Sequence, residues 1–104
     1  MKSRLELLNE MLAKEPADPF LNYAMALEFH KNGEKQKAIA LLENVIRVDE
    51  NYLAAYYQLG KFYEDAFEKN KALEIYQKGI VIARAQKNTK TVSELNEAIQ
   101  QLEE

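Results

Sequence analysis

The feature that most restricts the fold is that the chain overlays on itself at an offset of 34 residues. At that offset Met25 falls on Leu59, Ala26 on Gly60, Phe29 on Tyr63 and Ala38 on Ala72. Leu42 falls on Tyr76, Val45 on Gly79 and Ile46 on Ile80. A unit of this length has too little core to stand alone, so two copies must stack and share one. Two glycines interrupt the second copy, Gly60 in "AAYYQLGKFYEDAF" and Gly79 in "YQKGIVIA". Each costs a helix interior roughly 1 kcal/mol relative to Ala.

The rest of the pattern is helical throughout. Leu5, Leu8, Met11 and Leu12 share one face of a first helix, and "SRLE" reads as its capping box, with Ser3 at the N-cap and Glu6 three residues on. "KEPADP" breaks the chain, after which Asp18 caps a second helix that has Pro19 in its first turn. That helix is predicted from Pro19 to Lys31, ending at "KNGE" with Gly33 just beyond it. A third covers Lys35 to Val48, "DEN" supplies polar caps, and a fourth runs from Tyr52 to Ala66. The fifth covers Lys69 to Gln86. After "KNTKT" a sixth carries Val92, Leu95, Ile99 and Leu102 on one stripe. Six helices, short turns and no strand make the expected fold an all-α antiparallel array.

Composition narrows the class. A chain of 104 residues is most simply one domain, residues 1–104, and 47% hydrophobic with 30% charged residues is ordinary for a soluble protein. Three Gly and two Pro are few for a β-domain full of tight turns. Without cysteine there is no disulfide framework, thiolate metal site or thiol nucleophile. A net charge of −3 with scattered basic residues argues against a nucleic-acid footprint, and "EKQK" reads as a solvated helix start. No apolar run reaches the length of a membrane span, and "MKSRLELLNEM" is amphipathic, so no membrane contact and a cytoplasmic location are expected.

These residues resemble the tetratricopeptide repeat family. In the second unit Tyr56 stands at the family's Trp place, followed by Leu59, Gly60 and Tyr63, then Ala72, Tyr76 and Gly79. The first unit fits less closely, with Asn22 at the Trp place, then Met25, Ala26, Phe29, Gly33, Ala38 and Leu42. The resemblance implies antiparallel helical hairpins stacked as a short right-handed α-solenoid of about six helices, with an N-terminal half-repeat helix (1–16), repeats over 19–52 and 53–86, and a C-terminal capping helix over 89–104. It makes Gly60 and Gly79 packing positions within the hairpin. The sixth helix fits a first-helix pattern only with a turn two residues longer than the one before. Glu50 and Arg84 occupy places where the family has proline. Phe67 stands where Gly33 stood, and because an aromatic residue resists a left-handed backbone, this turn is expected to differ.

No catalytic constellation, cofactor motif or metal-ligand cluster is present. The lone His30 reads as a structural histidine, and adjacent Glu64 and Asp65 point apart on a helix. The chain is therefore not expected to be an enzyme. The resemblance implies protein or peptide binding in a concave groove lined by the first helix of each unit. Its inward places are Phe20, Tyr23 and Leu27, then Ala54, Tyr57 and Lys61, then Ser93 and Glu97. Helical spacing adds Glu64 to the stripe of Tyr57 and Lys61. For Tyr23 and Tyr57 the alternative is packing against the adjacent hairpin. The family's clamp for acidic chaperone C-termini would need Lys, Asn and Arg at Tyr23, Leu27, Gln58, Lys90 and Glu94; only Lys90 fits, so that ligand is excluded. The competing function is structural: homo-oligomerisation through the aromatic face or a terminal helix, or a non-catalytic place in a larger complex.

Overall fold

Ser3 opens the first helix as the sequence pattern requires. In the computed structural model, which describes residues 1–104, its side chain accepts from the Glu6 N–H while Glu6 reaches back to the Ser3 N–H. Helix α1 (Arg4–Lys14) is followed by α2 (Pro19–Lys31), α3 (Lys35–Val48), α4 (Leu53–Asp65), α5 (Lys69–Ala85) and α6 (Thr89–Glu103), with no strand. Asp18 caps α2 by accepting from the Leu21 N–H, with Pro19 at the first position. Each helix packs on the next in sequence, giving a short α-solenoid 43 × 29 × 22 Å.

The turn after α4 is the clearest departure from the sequence reading. Phe67 adopts φ 61°, in the left-handed region, matching Gly33 at φ 83° one unit earlier. The two turns also share their hydrogen bonds. The Glu34 N–H donates to the Phe29 carbonyl and the Glu68 N–H to the Tyr63 carbonyl, both at 2.9 Å. This closing bond satisfies an orphan carbonyl at the end of each helix, and it over-determines the turn enough to hold an aromatic residue there. The expectation of a different turn at Phe67 was wrong. Local conformational cost lost to the demands of the hairpin.

A third copy of this turn ends α5, with Lys87 at φ 59° and the Asn88 N–H donating to the Ala83 carbonyl. It replaces the more extended connection that ends α3 at Asp49. Helix α5 has 17 residues against 14 in α3 and the turn after it has three residues against four, so the net two extra residues before the sixth helix lie in α5 and not in a longer turn. Arg84, at the proline place, leaves the helix free to continue. Helix α6 correspondingly starts at Thr89, within "KNTKT", with the Asn88 side chain accepting from the Thr91 N–H. "DEN" does not cap α4: the N-cap is Tyr52, with no side-chain bond, while the Asp49 carboxylate accepts from the Asn51 N–H.

Packing accounts for both glycines. A Cβ built on Gly60 would lie 2.0 Å from Cε1 of Tyr76, and one on Gly79 would lie 2.8 Å from Cβ of Tyr56 and 3.0 Å from Cδ1 of Leu95. The arrangement is reciprocal, each helix of the α4/α5 hairpin offering a glycine to a tyrosine of the other. In the first unit the same pair of places holds Ala26 and Leu42, both fully buried. A smaller partner tolerates a methyl where the tyrosine does not. Around these contacts a core of sixteen buried residues runs from Ala26 in α2 to Ala98 in α6, and a smaller one of Leu8, Leu21, Ala24 and Met25 joins α1 to α2.

The two residues at the Trp place do the same job by different chemistry. The Asn22 amide donates to the carbonyls of Pro16 and Asp18, and the Tyr56 hydroxyl donates to the carbonyl of Glu50. Pro16 and Glu50 are themselves one repeat apart. Each bond ties the start of a hairpin to the preceding turn, and at Glu50 it does so where proline is absent.

Candidate functional site

Because each hairpin places its first helix on the same side, α2, α4 and α6 contribute to one surface. Tyr23 from α2, Leu53, Ala54, Tyr57 and Gln58 from α4, and Thr91 and Glu94 from α6 line a depression of about 250 Å³. Tyr23 and Tyr57 are half-buried: both pack against the main core and both line the depression. The Tyr23 ring lies 5.5 Å from that of Tyr52 and the Tyr57 ring 6.4 Å from that of Tyr76, each tilted. Burial pushes the Tyr23 hydroxyl pKa up, and a hydrogen bond with the Gln58 side chain offsets part of that.

Of the nine residues the sequence proposed, Tyr23, Ala54 and Tyr57 meet in this depression. Lys61 and Glu64 continue the α4 stripe. The Lys61 ammonium lies 5.4 Å from the Tyr57 ring centroid and 3.8 Å from the Glu64 carboxylate. Glu64 also accepts a hydrogen bond from the hydroxyl of buried Tyr76, so it is tied to the core. Leu27 is half-buried against the core. Phe20 lies apart, in a hollow with Met11, Lys14, Glu15, Asp18 and Leu21. Ser93 also lies apart, with Arg84, Lys87, Asn88, Thr89 and Val92 around the α5–α6 turn. Glu97 is exposed on α6.

Gln58 and Glu94 are part of the depression, yet sequence reaches them only as places of the carboxylate clamp. The offset of 34 puts Gln58 on Ala24, which is buried with Leu8, Leu21 and Met25, so the repeat gives no sign of a polar group at the depression. Glu94 forms no ion pair. Any acidic segment entering the depression would meet its carboxylate.

The His30 ring stacks on Phe62 with centroids 4.0 Å apart and planes 3° from parallel, joining α2 to α4. Its Nε2 lies 3.0 Å from an Asp65 oxygen, out of line for a hydrogen bond. No group of three or more His, Asp or Glu side chains is placed to hold a metal ion. No helix is long and apolar enough to cross a membrane.

This architecture is shared with solved structures. The solution structure of a tetratricopeptide repeat domain protein from Salinibacter ruber is 39% identical over 85% of this chain and 89% of its own, with a TM-score of 0.81. The crystal structure of the Salinibacter ruber domain gives 38% identity over 83% and 96%, with a TM-score of 0.77. The TPR2B domain of yeast Sti1, solved as a pHsp70 complex, is 20% identical over 95% of this chain and 79% of its own; at a TM-score of 0.87 it shares the fold. No protein-family model and no curated protein sequence matches the chain.

Proposed function

Because this chain belongs to the tetratricopeptide repeat family, we propose that it is a non-catalytic interaction module that binds a protein or peptide segment on the concave face of α2, α4 and α6. The observation that carries this is the shared depression: three helices from three successive units bring Tyr23, Ala54 and Tyr57 together with polar neighbours. Tyr rings suit such a role because they bury large area with few rotamers to freeze. The yeast Sti1 domain, solved as a pHsp70 complex, supports a protein-derived ligand for this fold. The proposal includes a single domain over residues 1–104, a cytoplasmic location and no cofactor.

The test is affinity capture from the native host's lysate with wild type and a Tyr57→Ala/Lys61→Glu variant, after circular dichroism shows that the variant is folded. A protein retained by wild type and lost by the variant supports the groove. Retention of the same proteins by both variants refutes it.

A second reading, self-association, is favoured by the N-terminal end. There Leu7 is 47% exposed and Met11 52% on α1, and Phe20 of α2, 59% exposed, shares a hollow with Met11. Mass measured by light scattering over a range of concentrations separates the two: a monomer throughout removes this reading.

A further inference from the structure

The chemistry of the depression says more than its shape. Its walls are the phenol rings of Tyr23 and Tyr57, the amide of Gln58 and the hydroxyl of Thr91, and a single charge stands among them, the carboxylate of Glu94. Aromatic faces attract cations through their quadrupole, and a carboxylate adds a full opposite charge. Tyr57 already carries one cation of the chain's own, since the Lys61 ammonium lies 5.4 Å from its centroid. That ammonium is matched by Glu64, which leaves Glu94 unsatisfied. Lys90, one helical turn before Glu94, forms no ion pair with it. Glu97, one turn further along α6, is likewise without an ion-pair partner.

We infer that this depression is a subsite for one Lys or Arg side chain of the bound segment, its cationic head against the tyrosine faces and Glu94. The inference rests on the groove reading and gives it a charge preference. A hollow of about 250 Å³ admits a single long side chain and not a helix. Arg fits better than Lys, because a planar guanidinium stacks on a ring while donating in its plane to Glu94 and to the Gln58 amide oxygen. The aliphatic stem of either residue would lie along Leu53 and Ala54, keeping its methylenes out of water. An acidic side chain in the same place would face Glu94 with no cation to screen it.

The experiment is selection of random peptides displayed on phage against the wild-type protein, with binding of the selected peptides measured by fluorescence polarisation on wild type, Tyr57→Ala and Glu94→Gln. Glu94 is exposed, so Glu94→Gln removes the charge without disturbing the core. The expected result is enrichment of Arg or Lys beside an apolar residue. Those peptides should lose about tenfold in affinity on Glu94→Gln, the scale of one charge-assisted hydrogen bond. Peptides that depend on Tyr57 but show no basic enrichment, or that ignore Glu94→Gln, overturn the cation subsite and leave the groove standing. An absence of peptides that depend on Tyr57 overturns both.

Discussion

Replacing Gly60 with Ala should destabilise this protein, although helix propensity alone says the opposite. Ala in a helix interior gains about 1 kcal/mol over Gly. The added Cβ, however, would lie 2.0 Å from Cε1, 2.4 Å from Cζ and 2.6 Å from Cδ1 of Tyr76. Carbon atoms rest at roughly 3.5–4 Å, so the ring must retreat by about 1.5 Å. Tyr76 has nowhere to retreat: it is 0% exposed, and its hydroxyl is held by Glu64. Overpacking of a filled core costs about 1–3 kcal/mol, and the severity of this contact places it in the upper part of that range. After the propensity gain the net loss is about 1–2 kcal/mol, or a fall in Tm of about 5–15 °C for a domain of this size.

The first unit supplies the control, since it pairs Ala26 with Leu42 where the second pairs Gly60 with Tyr76. In a Tyr76→Leu background, Gly60→Ala should be neutral or stabilising by up to about 1 kcal/mol. Urea melts followed by far-ultraviolet circular dichroism on the four proteins of this cycle measure the coupling, expected near 2 kcal/mol. If Gly60→Ala raises the midpoint in the Tyr76 background, or shifts it equally in both, the reciprocal glycine–tyrosine packing is not what sets these residues.

Two further outcomes follow from the same structure. Phe67→Gly should raise the urea midpoint, because the left-handed backbone costs a side-chain-bearing residue about 1–2 kcal/mol and glycine's greater unfolded entropy returns only about 0.5–1 kcal/mol of that; a lowered midpoint would mean that Phe67 makes a contact which outweighs the relief. Stability should also decline in alkali. Burial first, and hydrogen bonds to Glu43 and Glu64 second, hold the Tyr63 and Tyr76 hydroxyls well above the ordinary tyrosine range. A pKa raised in the folded state leaves its stabilisation intact below the unfolded value and loses it as pH rises from there towards the folded one. The midpoint should therefore be flat through neutral pH and fall above about pH 10, each tyrosine adding about 1.4 kcal/mol per pH unit. Tyr76→Phe should make that fall shallower; an unchanged slope would show that Tyr76 is not among the groups responsible.

Much of this protein was legible in its residues because helices advertise themselves locally. Ser3 and Glu6, Asp18 and Pro19, and the apolar stripes carry their meaning within a few positions, and the six helices follow. The offset of 34 carried the information of one longer range, that two hairpins must stack, and with it the reason for Gly60 and Gly79. One error came where a single residue's preference was trusted against the hydrogen bonding of its turn. Phe67 was expected to avoid a left-handed backbone, but the bond from the Glu68 N–H to the Tyr63 carbonyl, which closes the end of α4, overrode it. The residues of the concave face were legible in part, since repeat positions pointed to Tyr23 and Tyr57.

The helices, their limits to within a few residues and the stacking of repeats are written along the chain, because periodicity and capping act between neighbouring residues. Where the two extra residues before α6 are absorbed, and that Phe20 and Ser93 stand apart from Tyr23 and Tyr57, emerged from the packed structure alone. It also decided that Gln58 and Glu94 join those tyrosines. The reason is geometric: whether residues from α2, α4 and α6 share one hollow depends on how each hairpin is rotated and offset on the last. That placement is set by the summed packing of cores such as Tyr76 against Gly60, and no single stretch of the chain contains it.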